Sequence, residues 1–271
     1  MHKPAHFISP IVATILGASV AMPVNAADTV DSAQKLSSRI SLVSNYVFRG
    51  IGKTSSNPAI QGGMDYAHAN GIYAGLWGSP VSWILDSGAV DATQYGRPTT
   101  EVDLYFGYKS GLASGYQYDA GFIRYNYLGN YTAAANYALA DTAEVYGALS
   151  YKLLTLKYSY SVLDQFMTVR DTRGTNYFEL NANYTIPDSD YMVSAHVGKQ
   201  TYTGKIAEAL AAYGTSATYS DYKVAVARDF SGYILTLSYT NTNASTYYTY
   251  PKTLGGNWAG PTTIFSLTRS F

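Results

Sequence analysis

Along most of the chain apolar and polar side chains alternate one for one, the period of a β-strand whose two faces meet different surroundings. Thr100 to Tyr108 is the clearest stretch, with Val102, Leu104, Phe106 and Tyr108 on one face and Glu101, Asp103, Tyr105 and Gly107 on the other. Tyr177 to Ile186 repeats it, setting Phe178, Leu180, Ala182 and Tyr184 against Glu179, Asn181 and Asn183. Thr142 to Leu153 and Thr155 to Val162 follow the same rule. Weaker versions run over Arg39 to Phe48, Ala59 to His68, Ile72 to Ser79, Tyr116 to Tyr127, Tyr191 to Lys199, Asp221 to Phe230, Tyr233 to Asn241 and Thr262 to Phe271. Two of these leave the facing open: Ile72 to Ser79 is apolar on both sides, and Arg124 stands in line with Tyr118 and Phe122. The pattern predicts roughly twelve strands, each near the 9–11 residues that cross a bilayer at a tilt.

The links between segments alternate in length. Short ones fall at Ala69-Asn70-Gly71, Ser110 to Gly115, Leu153-Leu154, Pro187 to Asp190 and Ser231-Gly232. Long ones run from Gly50 to Pro58, Pro80 to Pro98, Leu128 to Asp141, Leu163 to Gly174, Gln200 to Ser220 and Thr242 to Pro261. Asn-Gly and Pro-Asp are turn formers, because they supply a left-handed backbone or a preset φ. Short turns at one end and long loops at the other are the habit of outer-membrane barrels and put both termini on the periplasmic side. Pro80 to Pro98 and Gln200 to Ser220, the longest links, are the natural plugs; Ile206 to Tyr213 suits one or two helical turns, with an irregular loop as the other reading.

A soluble sandwich would alternate too, so composition must separate the two cases. Only 13% of the 271 residues are charged, against about 25% in soluble domains. Tyr numbers 28 and Gly 24, and the polar faces carry Gly, Ser, Asn and Tyr more than Lys and Glu, which suits a crowded lumen better than a water surface. Aromatic residues near strand ends (Tyr46 and Phe48, Tyr66, Tyr73 and Trp77, Tyr125 and Tyr127, Tyr184, Tyr191) read as girdles at two lipid interfaces. An open sheet edge is prohibitive in lipid, so the sheet must close. The expected fold is therefore all-β: a single antiparallel transmembrane barrel of about twelve strands. Residues 1–26 read as a signal peptide, with Lys3, an apolar core between Pro10 and Pro23 too short to span a bilayer, and small residues at Val24-Asn25-Ala26. The barrel domain would then occupy 27–271. The zero balance of 18 basic and 18 acidic residues argues against a nucleic-acid partner, and the absence of Cys removes disulfides and thiol chemistry.

The strings SNYVFRG (Ser44 to Gly50), PAIQGGMDY (Pro58 to Tyr66), GIYAGLWGS (Gly71 to Ser79) and EVDLYFGY (Glu101 to Tyr108), with the closing Phe271, resemble the TorF family, porin-like proteobacterial outer-membrane proteins of unknown function. The resemblance covers nearly the whole mature chain and departs at Lys53, where Gln is expected, and at Leu128, where Pro is. It implies an outer-membrane location and a porin-like role. Outer-membrane lipids, small solutes and the assembly machinery, which would read the Phe265-Leu267-Phe271 face, are the implied partners.

Channel chemistry rests on polar residues facing the lumen. Parity opposite the apolar face nominates Arg49, Asp65, Glu101, Asp103, Glu144, Lys157, Glu179 and Lys223. Each has a bland alternative, an internal ion pair or hydrogen bond, since buried charges pair; for Arg49, at the expected outer end of the first strand, it is an interfacial anchor. The function expected is passive diffusion of small hydrophilic solutes, with no catalytic residue, no metal and no cofactor. The alternatives are a non-conducting adhesin or structural barrel, suggested by the Tyr- and Asn-rich outer loops, and an outer-membrane lipid hydrolase. The last would need Ser194 and His196, two apart on one face, which parity turns toward the lumen.

Overall fold

The computed structural model describes residues 34–90, 97–134, 137–244, 248 and 258–271. The expected leader, 1–26, lies outside them. Twelve strands form one closed antiparallel barrel: β1 (Gln34–Val43), β4 (Ala59–His68), β5 (Ile72–Pro80), β6 (Thr100–Gly111), β7 (Tyr116–Leu128), β8 (Thr142–Tyr151), β9 (Leu154–Ser161), β12 (Asn176–Thr185), β13 (Tyr191–Thr201), β14 (Tyr219–Phe230), β15 (Tyr233–Thr242) and β16 (Thr262–Ser270). Each pairs with its neighbours in sequence, and β1 closes the ring against β16, with Leu42 opposite Leu267. Two two-residue hairpins, β2–β3 (Val47–Phe48 with Ile51–Gly52) and β10–β11 (Gln165–Phe166 with Val169–Arg170), and two short helices, α1 (Trp83–Asp86) and α2 (Lys205–Ala212), belong to the long links. Among the described residues no helix is long and apolar enough to cross a membrane.

The outward face carries a continuous apolar band: Leu42, Ile60, Leu76, Leu104, Phe106, Val145, Leu156, Leu235 and Phe265 are all exposed. So large a patch is foreign to a water-facing surface and natural against lipid. The two ambiguous strands are settled by packing. In β5 the bulky Tyr73 and Trp77 point inward and Ile72 and Leu76 outward. In β7 Arg124 faces outward with Phe122, and its guanidinium reaches Asp141 at 3.6 Å and Asn126 at 2.8 Å, at the long-loop rim where a charge can stay wet.

Two expectations need correction. The first strand runs over Gln34–Val43, not Arg39 to Phe48, because the N-terminal residues find a full set of partners along β4, from Gln34 opposite His68 to Val43 opposite Ala59. The chain then leaves the wall at Ser44 and turns into the barrel. Most of the presumed girdle points inward as well: Tyr46, Phe48, Tyr73, Trp77, Tyr125 and Tyr127 are buried, leaving Tyr66, Tyr184 and Tyr191 on the outside. The outward ring at the short-turn end is built instead with Tyr108, Tyr116, Tyr118, Tyr151, Phe230 and Tyr233, with Tyr116 stacked on Tyr151 at 4.5 Å. The Gln200–Ser220 link enters the core with Tyr202 and Ala217, and α2, which has no fully buried residue, rests on it through the partly buried Ile206, Ala207 and Leu210.

The abundance of Tyr and Gly has a common cause. Inward tyrosines lie flat across glycines of the neighbouring strand: Tyr105 covers Gly75, Tyr73 covers Gly107, Tyr146 covers Gly121 and Tyr177 covers Gly198. A Cβ at Gly75 would come within 2.5 Å of the Tyr105 ring, and at Gly198 it would clash with the Tyr177 hydroxyl. Glycine lets the ring drop onto the sheet, which fills a barrel of this width from its own walls.

Candidate functional site: the lumen and its plug

The long-loop half of the barrel is filled by a contiguous apolar and aromatic core. Val43 and Ala59 on one wall and Ile123, Tyr125, Tyr127 and Tyr219 on the others enclose Tyr46, Phe48 and Ile51 from the first link, Trp83 and Ile84 from the second, and Phe166, Met167 and Val169 from the fourth. Both inward hairpins turn on two residues of positive φ, Arg49 (+47°) with Gly50 (+76°), and Met167 (+48°) with Thr168 (+71°). Such paired left-handed residues give the tight turn whose twist matches its flanking strands. At Gly50 no larger residue fits, since a Cβ would lie 2.6 Å from that of Asp221.

Arg49 is the tip of the first hairpin. Its Nη1 donates to Glu144 Oε1 at 2.9 Å and its Nη2 to Glu144 Oε2 at 2.8 Å, while Nη1 also reaches Gln200 Oε1 at 2.9 Å. The guanidinium sits over the Tyr177 ring at 4.2 Å and the Phe48 ring at 4.8 Å. Side-chain exposure is 7% for Arg49 and 1% for Glu144, so the pair is a buried one. Burial alone would depress the guanidinium's pKa, but the Glu144 carboxylate outweighs it and the net shift is upward. Arg49 is thus neither on the first strand nor at the lipid interface; it locks the hairpin across the lumen to β8 and β13.

Lys53, just beyond the hairpin, is buried with its Nζ 3.1 Å from Met167 Sδ and 4.0 Å over the Trp83 ring, which ties the two hairpins and α1 together. Burial lowers its pKa to about 8 against the partial support of Glu101. Glu101 and Asp103, on the inward face of β6, are each 1% exposed. Tyr46 donates to Glu101 Oε1 at 3.0 Å, and burial, followed by the fields of Glu101 and Asp103, holds that phenol well above its usual range. Both carboxylates lie within the packed core.

Below the plug the wall is polar. Asp65 accepts from Tyr105 at 2.5 Å and pairs with Arg39 at 3.5 Å. Lys157 lies 4.3 Å over the Tyr146 ring and opposite Glu179 in the strand register. Glu179 accepts from Asn181 at 2.9 Å, and Lys223 stands opposite His196 in electrostatic reach of Glu179 and Asp221. All eight nominated residues therefore face the interior, in two groups: Arg49, Glu101, Asp103 and Glu144 in the plug, and Asp65, Lys157, Glu179 and Lys223 in the vestibule beneath it.

Sequence reasoning missed Lys53, Tyr177, Gln200 and Asp221. Parity could have named the last three, which sit on inward positions of β12, β13 and β14. His196 bonds to Tyr177 (2.9 Å), Asp221 (3.2 Å) and Asn181 (2.7 Å), so both ring nitrogens are engaged by groups other than Ser194. That geometry gives no nucleophile–base pair.

A family model described as a bacterial protein of unknown function (Gcw_chp) matches residues 27–271. The match carries that description and not the TorF name. Among solved structures, the chain is similar to the KdgM porin (10% identity, 87% of this chain and 97% of that one, TM-score 0.48). It is also similar to the COG4313 outer membrane channel from Pseudomonas putida F1 (11% identity, 91% and 98%, TM-score 0.46) and to LpxR from Salmonella typhimurium (8% identity, 87% and 99%, TM-score 0.42). A search of curated proteins gave no match.

Proposed function

For a chain that belongs to the Gcw_chp family of bacterial proteins of unknown function, we propose the role of an outer-membrane channel for small hydrophilic solutes, held shut by its own first hairpin. The observation that carries the reading is the contrast between the two faces of one wall: an apolar outer band, and an inner face with Lys157, Glu179, His196, Asp221 and Lys223 grouped beneath a removable plug. A barrel with no transport role has no need of a charged vestibule, since desolvated charges cost stability that apolar filling would not. The plug is a loop element whose backbone bonds run to other links, from Gly52 N–H to Trp258 O and from Ser82 and Trp83 N–H to Lys53 O, and not to the strands of the wall, so it can leave without breaking the barrel's ladders. The termini face the periplasm, and the exposed Phe271 offers itself to the assembly machinery before the barrel closes. Planar-bilayer recording of the refolded mature protein tests the reading, with a variant in which residues 45–57 are replaced by a short Gly-Ser link. Rare, brief steps for the wild type and long-lived steps for the variant are expected. A folded, heat-modifiable variant that stays silent would overturn the channel reading in favour of an adhesive or structural barrel.

A further inference from the structure

The outer face of β12 to β16 carries an apolar groove of about 650 Å³. Its floor is made by small side chains, Ala182 and Ala195, which lie opposite each other in the register, and its walls by Val193, Val224, Val226 and Leu237. At the short-turn end Arg228 lies one outward position beyond the groove's lining residue Val226. Tyr191 pairs with Arg228 and the next outward pair, Val193 with Val226, already belongs to the groove. Arg228 lies on the same outward column as Val224 and Val226, four residues and about 13 Å from Val224 along the strand.

The guanidinium is held by aromatic side chains of the outward face. It lies 5.0 Å from the Tyr191 ring centroid and 4.6 Å from that of Phe230, and Nη1 donates to the Tyr191 hydroxyl at 3.1 Å. Its Nε is buried and has no hydrogen-bond partner. Two strands along, Arg269 is held in the same way between Tyr233 (4.8 Å) and Phe271 (5.9 Å). An arginine fixed by two rings and a hydroxyl, beside an apolar groove, is complementary to a molecule with an anionic head and an apolar tail.

We propose that this groove binds one anionic phospholipid, its acyl chain over Ala182 and Ala195 and its phosphate on Arg228. The proposal rests on the membrane reading above, because only a bilayer presents such a molecule to this face. The phosphate pairs with the guanidinium at its exposed end, where Nη1 meets the Tyr191 hydroxyl, and the two rings keep the cation from swinging away into water. A second copy of this chain is the less suited occupant, since packing its own apolar face there would enclose Arg228 without an acid to meet it.

Native mass spectrometry of the refolded barrel in detergent, titrated with palmitoyl-oleoyl phosphatidylglycerol or with its phosphatidylcholine counterpart, tests this. One phosphatidylglycerol per barrel is expected, with at least fivefold less phosphatidylcholine retained. Arg228→Gln and, separately, Ala195→Phe, which fills the floor, should each lower phosphatidylglycerol retention at least fivefold, while Val145→Phe on the far wall leaves it unchanged. The heat-modifiable shift on gels verifies that each variant folds, and insertion of the wild type into vesicles tests the membrane reading separately. A barrel that inserts but retains both lipids equally, or whose Ala195→Phe and Arg228→Gln variants keep the lipid, overturns the site. Dimers lost only in Ala195→Phe overturn it in favour of a protein interface.

Discussion

Replacing Glu144 by Gln probes the lock of the plug directly. Glu144 accepts two hydrogen bonds from Arg49, at 2.9 and 2.8 Å, and one from the Tyr125 hydroxyl at 3.0 Å, with only 1% of its side chain exposed. Removing one member of a buried ion pair costs about 3–5 kcal/mol, because the other charge is left in low dielectric. Part of that is retained in this case. The glutamine amide still accepts one hydrogen bond, worth about 0.5–1.5 kcal/mol, and Arg49 keeps Gln200 and the rings of Tyr177 and Phe48. The docked hairpin should therefore lose about 2–3 kcal/mol relative to the undocked one, in which Arg49 is hydrated. At about 1.4 kcal/mol per factor of ten, the undocked population rises about 30- to 150-fold. Single-channel recording reads this as open probability: Glu144→Gln should open at least tenfold more often than the wild type, with the same step size as the hairpin-replacement variant. A Glu144→Gln barrel that folds, shifts on gels and opens no more often than the wild type would refute the reasoning, because the lock would then carry no share of closure.

Three further outcomes are expected. Lys53 titrates near 8 when buried, below its ordinary value, so the unfolded chain binds more protons across the interval between the two; barrel stability should rise from about pH 8 to about pH 10, by no more than about 3 kcal/mol, and Lys53→Met should flatten that rise in thermal gel-shift curves. Deleting residues 207–212 removes most of α2, which has no fully buried residue, and leaves the hairpin plug and the core residue Ala217 in place, so conductance and assembly should match the wild type; a larger conductance would mean that this helix obstructs the path. Gly198→Ala forces the Tyr177 ring off β13 and breaks its bonds to His196 and Asp221. The loss of about 1–3 kcal/mol exceeds the roughly 0.5–1 kcal/mol that Ala adds in a strand, so the unfolding temperature should fall, and an unchanged value would show that the ring has room to move.

The vestibule was more legible in the sequence than the plug. Asp65, Lys157, Glu179 and Lys223 stand on regular strands, where period-two parity states the facing of each residue without knowledge of any other. Arg49 does not. The string SNYVFRG alternates well enough to pass for the end of a strand, and only the available partners decide otherwise: residues 34–38 complete the ladder with β4, and the chain beyond Val43 is released to fold inward. Tyr46, Phe48 and Trp77 fit a lipid interface and a packed core equally by residue type, so composition could not choose between girdle and plug.

Local pattern alone therefore determined that this chain makes about twelve strands, with short turns at one end and long links at the other, because alternation and turn chemistry act over a few neighbouring residues. The tertiary structure decided what occupies the barrel. Arg49 meets Glu144 across 95 residues of sequence and Gln200 across 151, and Tyr46 meets Glu101 across 55. Contacts of that span leave no periodic trace. They exist because the closed wall leaves an interior too wide for its own side chains to fill at the long-loop end, and the links that carry enough apolar surface fold in to fill it.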